Sequence, residues 1–146
     1  MSTNEVTIRI GGEAGMGLES SGAGFSQALT RGGLYAFGLP DYYSRIRGGH
    51  NFFSIRTSPQ PLYSHAEPVH LVLALDMETI RRHVDDIVAG GAVVHDENVE
   101  VPEELRRSDV NFFPVALTKL AEEQGGRKIM RNTVAFGVAA GLLGFD

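Results

Sequence analysis

An open, mostly parallel α/β sheet with helices on both faces is the fold class that this 146-residue sequence predicts, and three observations carry it. Short β-rich runs alternate with segments whose apolar residues recur at helical spacing. A glycine cluster, "GGEAGMG", stands at the first strand-to-helix turn, where Rossmann-like sheets place a ligand loop. The run "VHLVLAL", over 69–75, is apolar at nearly every position, which suits a parallel strand covered on both faces.

The elements follow in order. Val6, Ile8 and Ile10 alternate with Thr7 and Arg9 and predict a first strand that ends at the glycines. Leu18, Gly22, Phe25 and Leu29 share one face of a helix of 3.6 residues per turn, with Gly32 and Gly33 as its stop. "LYAFG" predicts the second strand. "HNFFSIRTS" predicts a strand entered from a loop, with Phe52, Ser54 and Arg56 on one side, Phe53 and Ile55 on the other, and Pro59 and Pro61 beyond its end. The central strand over 69–75 comes next. Met77, Ile80, Val84 and Ile87 give a second helical face that Gly90 and Gly91 end, and "AVVHD" is the strand after it. "VNFFPVA" and "LTKLAEEQGG" add a strand and a helix. The closing "NTVAFGVAAGLLGFD" is apolar all round, so a helix there is expected to be buried in the domain or packed on a partner. It halts after Asp146 with no polar cap. The expectation is a single domain over 1–146, truncated at its C-terminal end relative to a longer parent.

With 42% hydrophobic and 21% charged residues and a net charge of -5, the composition is that of a globular protein rather than of a nucleic-acid binder or a disordered tail. Any basic site must be local. The absence of cysteine excludes a disulfide framework, a thiolate-held iron–sulfur cluster and a thiol nucleophile. No basic-plus-apolar leader precedes the first strand, and no apolar run reaches the roughly 18 residues of a membrane span, so the cytoplasm is the expected location. The histidines at 50, 65, 70, 83 and 95 show no metal-ligand spacing, and no metal site is expected. There is no G-x-S-x-G elbow, no P-loop lysine and no evident carboxylate pair; no catalytic residue is assigned to this chain alone.

Two motifs remain. In the glycine loop, Gly12, Gly15, Met16 and Gly17 form a candidate anion-binding turn: glycine permits positive φ and close approach, and the free N–H groups of the helix that starts near Leu18 favour a phosphate or carboxylate. As a dinucleotide fingerprint the match is partial, because Ser20 stands where a third glycine is needed and the nearest ribose-binding acid, Asp41, follows Pro40. A tight turn without a ligand is the bland alternative. In "YSRIRGGHNFF", an extended backbone projects Arg45 and Arg47 to one side, Gly48 and Gly49 leave room for an anion or another chain, and His50 adds a donor. The bland alternative is a solvated charge pair or bonds to the chain's own carboxylates.

Together the two motifs mark a resemblance. The opening strand with "GGEAGMG", the run from Tyr42 or Tyr43 to His50, and the late "RNTVAFGVAAGLLG" are similar to the γ-type domain of 2-oxoacid:ferredoxin oxidoreductases, most closely to the N-terminal part of the α subunit in the 2-oxoglutarate branch. The resemblance runs from Val6 to Asp146. It implies CoA-dependent oxidative decarboxylation of a 2-oxoacid such as 2-oxoglutarate or pyruvate, with thiamine diphosphate, magnesium and iron–sulfur clusters held by partner subunits and ferredoxin as electron acceptor. It further implies an oligomeric complex in which this domain borders the CoA and substrate entrance, with Arg45, Arg47, Gly48, Gly49 and His50 facing an anion, and an isolated chain that is inactive. A stand-alone nucleotide-binding dehydrogenase and a non-catalytic interaction module are the competing readings.

Overall fold

A computed structural model describes residues 5–42, 49–127 and 130–145. Its six strands are β1 (Val6–Glu13), β2 (Tyr35–Tyr42), β3 (His50–Ser58), β4 (Val69–Ala74), β5 (Ile87–Asp96) and β6 (Asn111–Val115), and its helices are α1 (Leu18–Arg31), α2 (Met77–His83), α3 (Leu117–Gly125) and α4 (Arg131–Leu143). The strands form one sheet in the order β2-β3-β1-β4-β5-β6. The pairs β1–β4, β4–β5 and β5–β6 are parallel, while β3 is antiparallel to both of its neighbours. Among the described residues, β3 is thus the one strand that runs against the rest. The expected α/β sheet is present, in mixed form.

Alternation along the strands builds two cores. Ile8, Ile10, Phe53, Ile55, Leu71 and Leu73 point to the face covered by α1, α3 and α4, where they meet Leu18, Leu29, Leu117 and Phe136. Val72, Ala74 and Val93 point to the opposite face and meet Ile80 of α2 with Val84, Val101 and Val110. Helices therefore lie on both faces. Phe53 fills the space left by two glycines: a Cβ on Gly22 of α1 would overlap its ring, and one on Gly38 of β2 would sit 2.8 Å from its Cζ.

Three element boundaries differ from expectation. β1 does not stop at the glycines but runs through Gly11 and Gly12 to Glu13, because β3 supplies pairing partners as far as His50. β2 continues through Pro40 to Tyr42; it is an edge strand, so a residue without an N–H is tolerated there. The helical face that Met77 and Ile80 open ends early: α2 closes at His83, a 3-10 turn covers Val84–Asp86, and Ile87 already belongs to β5, which passes through Gly90 and Gly91. Ile87 is buried as expected, but from a strand. In α4, Asn132, Ala135, Phe136 and Ala139 are buried and Thr133, Gly137 and Leu142 are exposed, so the domain covers one side of this apolar helix.

Candidate functional site

The parallel strands reach their carboxyl ends at Glu13, Ala74, Asp96 and Val115. From β1 the chain enters α1 on one face, and from β4 it enters α2 on the other, so the β1–β4 boundary is the switch point at which open α/β sheets form their binding crevice. The glycine loop lies there. Gly12 belongs to β1, opposite Asn51, while Gly15 and Gly17 take φ of 93° and 74°, values that exclude a side chain without strain. Gly17 is the N-cap of α1 and, having no side chain, makes no cap bond to the helix's first N–H groups. Met16 turns back on the loop: its sulfur lies 3.2 Å from the Glu13 nitrogen, and its carbonyl accepts from Asn132 Nδ2 at 2.7 Å. Asn132, at the start of α4, also donates to Ser21 Oγ at 3.1 Å. It holds loop and helix together from inside the core. Sequence reasoning overlooked it, although a lone amide opening so apolar a segment is the signal of a buried bond.

Of the arginine segment, Arg45, Arg47 and Gly48 lie outside the described residues; its downstream end does not. The Gly49 carbonyl accepts from the backbone N–H of Ala14 at 2.7 Å, and His50 pairs with Glu13 across the β1–β3 ladder. The two motifs therefore share one edge. His50 itself is buried, and its Nε2 lies 2.8 Å from Nε2 of His83 in α2. His83 Nδ1 is 3.1 Å from a terminal nitrogen of Arg9, which also bonds Asp86 Oδ2 at 2.9 Å while Arg9 Nε donates to Ser54 Oγ at 3.0 Å. Burial, with Arg9, His50 and Arg82 nearby, pushes His83 down to about 3, so it is neutral at ordinary pH. Burial lowers His50 as well, against the pull of Asp76. Asp76 caps α2 by accepting from the Thr79 N–H at 2.9 Å and the Thr79 hydroxyl at 2.7 Å.

A further acid at this edge is Asp96, at the end of β5. Although burial acts upward on it, bonds from the Thr118 hydroxyl and from the N–H groups of Asn98 and Thr118 outweigh that and keep its carboxyl below the usual range. It is spent on capping the start of α3. Among the described residues no group of three or more His, Asp or Glu side chains is arranged to hold a metal ion. With no cysteine in the sequence, this chain supplies no thiolate ligand for an iron–sulfur cluster. Nor does Asp41 suit ribose binding, because antiparallel β3 separates β2 from β1 and Asp41 pairs with Phe52 on the exposed edge strand. No helix among the described residues is long and apolar enough to cross a membrane.

Comparison with known proteins agrees with this architecture. A family model described as pyruvate ferredoxin/flavodoxin oxidoreductase matches residues 7–146. The chain is 35% identical over 82 residues to the 2-oxoacid:ferredoxin oxidoreductase subunit alpha of Saccharolobus solfataricus, covering 56% of this chain and 13% of that one. It is 28% identical over 136 residues to the 2-oxoglutarate synthase subunit KorC of Methanothermobacter thermautotrophicus, covering 89% of this chain and 72% of that subunit. Among solved structures, the 2-oxoglutarate:ferredoxin oxidoreductase of Magnetococcus marinus, with 2-oxoglutarate, coenzyme A and succinyl-CoA bound, superposes with a TM-score of 0.82 at 27% identity over 96% of this chain and 24% of its own. The keto/oxoacid ferredoxin oxidoreductase gamma subunit of Geobacter sulfurreducens shares the fold, with a TM-score of 0.78 at 24% identity over 97% of this chain and 78% of its own. The chain thus spans a small part of the long alpha subunits and most of the short ones.

Proposed function

This chain belongs to the pyruvate ferredoxin/flavodoxin oxidoreductase family, and on that premise we propose that it is a γ-type subunit or domain of a thiamine-diphosphate-dependent, CoA-acylating 2-oxoacid:ferredoxin oxidoreductase. In that reaction the 2-oxoacid carboxylate leaves as CO2, the acyl carbon passes to the CoA thiol, and the electron pair leaves through iron–sulfur clusters to ferredoxin. When bound, thiamine diphosphate with magnesium supplies the acyl-carbanion chemistry, from partner subunits; no step runs through a cofactor held here. This chain's part is binding and orientation at the CoA and substrate entrance and at the subunit interface.

The supporting observation is the junction of the two motifs, where the Ala14 N–H bonds the Gly49 carbonyl at 2.7 Å. It brings the glycine-capped start of α1, with Gly15, Met16 and Gly17, beside Gly49, which follows the segment that carries Arg45 and Arg47. Helix N–H groups and guanidinium forks both favour anions, and the substrates of this reaction carry carboxylates and phosphates.

The test is reconstitution. The purified chain should not oxidise 2-oxoglutarate or pyruvate with a viologen dye, and turnover should appear on adding thiamine-binding and iron–sulfur partner subunits. Saturation-transfer NMR on the chain should detect CoA or a 2-oxoacid and not NADH. Turnover by the chain alone, or a signal from NADH only, would contradict the proposal.

A further inference from the structure

We propose that Asn132 is a positioning residue for the glycine loop: from inside the core it holds the carbonyls of Met16 and, through Ser21, of Gly17, and so fixes how the N–H groups of Gly17 and Leu18 meet an anionic group of the substrate. The inference rests on the reading of that loop as a binding turn. Asn132 stands in the first turn of α4 and is 2% exposed. Its Nδ2 donates to the Met16 carbonyl at 2.7 Å and to Ser21 Oγ at 3.1 Å. The Ser21 hydroxyl, having accepted that bond, donates its own proton to the Gly17 carbonyl at 2.9 Å. The amide cannot be turned round, since Oδ1 would then face the Met16 oxygen. As it stands, Oδ1 is buried without a partner among the described residues, so the value of an amide at this position lies in the two bonds it donates.

Fixing two consecutive carbonyls fixes two consecutive N–H groups. The peptide bonds of the loop are trans and planar, so each C=O and the N–H that follows it point in opposite directions. Drawing the Met16 and Gly17 oxygens toward the buried amide therefore turns the Gly17 and Leu18 N–H groups away from it, at the start of α1. The Gly17 carbonyl also accepts the Ser21 N–H at 3.1 Å, which ties it to the helix as well. The rest of Met16 is held too. Its N–H donates to the Glu13 carbonyl at 3.2 Å, and its sulfur lies 3.2 Å from the Glu13 nitrogen and 3.3 Å from a terminal nitrogen of Arg131. A Cβ on Gly12 would come within 2.8 Å of that sulfur, so the glycine leaves it room. The bond from Asn132 to Met16 spans 116 sequence positions, so the end of the chain sets the first turn after β1. A loop ordered before its ligand arrives is spared the ordering cost on binding.

NMR of the full chain tests the bond directly: the Asn132 side-chain nitrogen should show scalar coupling to the Met16 carbonyl carbon, and its amide protons should exchange slowly with solvent. Rapid exchange without coupling would overturn the proposal. In the reconstituted complex, Asn132→Ala should raise KM for CoA or the 2-oxoacid by about five- to tenfold, the worth of one hydrogen bond, and by more than it lowers kcat. Asn132→Asp keeps the shape, but its carboxyl must bind a proton before it can donate to Met16. Relative to the parent, its KM should therefore approach the normal value as pH falls, while the ratio for Asn132→Ala stays level. A folded Asn132→Ala complex with unchanged KM would overturn the proposal, as would an Asn132→Asp complex as impaired as Asn132→Ala at every pH. If Asn132→Ala does not fold, the coupling and Ser21→Ala decide. The coupling must be present, and Ser21→Ala, which frees only the Gly17 carbonyl from its side-chain bond, must raise KM by about two- to fivefold; failure of either overturns the proposal. Gly15→Ala separates the two levels, because it strains the loop directly at a φ of 93° where a methyl meets nothing within 4 Å. If Gly15→Ala raises KM and Asn132→Ala does not, the positioning role alone fails; if neither moves KM, the reading of the loop fails even with the coupling in place.

Discussion

The backbone N–H of Ala14 donates to the carbonyl of Gly49 across 2.7 Å, tying the loop after β1 to the residue that precedes β3. Because β3 runs antiparallel to β1, its start lies at the same edge as the end of β1. Two glycine-bearing motifs 34 positions apart at Gly15 and Gly49 are neighbours for that reason.

The Phe53 ring is wedged between Gly22 and Gly38. Gly22→Ala drives a methyl into a buried ring that Gly38 flanks on its other side, so it should destabilise the fold by about 1–3 kcal/mol, the usual cost of overpacking. Urea unfolding reads this as a lower midpoint at unchanged slope. A variant as stable as the parent would mean that the helix-to-sheet distance is not set here.

Asp76→Ala removes the cap of α2 and leaves the Thr79 N–H without its acceptor. A loss of about 1 kcal/mol is expected, with Asp76→Asn retaining much of the stability because its amide oxygen can still accept. Equal losses for both variants would place the effect in the charge of Asp76 rather than in the cap.

His83 supplies a pH dependence with a definite sign. Its folded pKa is depressed to about 3 from 6.5, so between those values the unfolded chain binds a proton that the folded chain refuses. The stability contributed by neutral His83 is complete above the upper value and falls with pH at about 1.4 kcal/mol per unit toward the lower one. His50 and His70, also lowered, act in the same direction. Denaturation at stepped pH should show this slope in the parent and a shallower one in His83→Gln. A flat profile from pH 7 to 4 would contradict the neutral buried pair.

Much of the fold is legible in the sequence because periodicity reports which face is buried. Val6, Ile8 and Ile10, the 69–75 run and the Leu18-to-Leu29 face all lie where their spacing puts them. Periodicity carries no strand direction, so the antiparallel course of β3 and the mixed character of the sheet are not visible in it. The same limit explains Ile87, whose helical spacing from Ile80 and Val84 persists although the backbone leaves the helix at His83. At the site, the glycine loop and His50 are legible as motifs, but their contact depends on the β1–β3 ladder. His83 and Asn132 are found only through long-range bonds. One clue did exist for the first: an arginine between Ile8 and Ile10 on an inner strand requires partners, and Arg9 is nearly buried with its Nε and one terminal nitrogen bonded.

The central proposal, that Arg45 and Arg47 hold an anionic substrate, is tested most directly by steady-state kinetics of the reconstituted complex carrying Arg47→Ala. Arg47 adjoins Gly48 and so lies next to the barest backbone of the segment. The account predicts normal assembly and a kcat/KM for CoA or the 2-oxoacid lowered by about 2–3 kcal/mol, as for a lost charge-assisted hydrogen bond, with partial rescue by Arg47→Lys, which keeps the charge without the planar fork. Normal assembly with wild-type turnover would contradict it and make the arginine pair a feature of the surface or of a subunit contact.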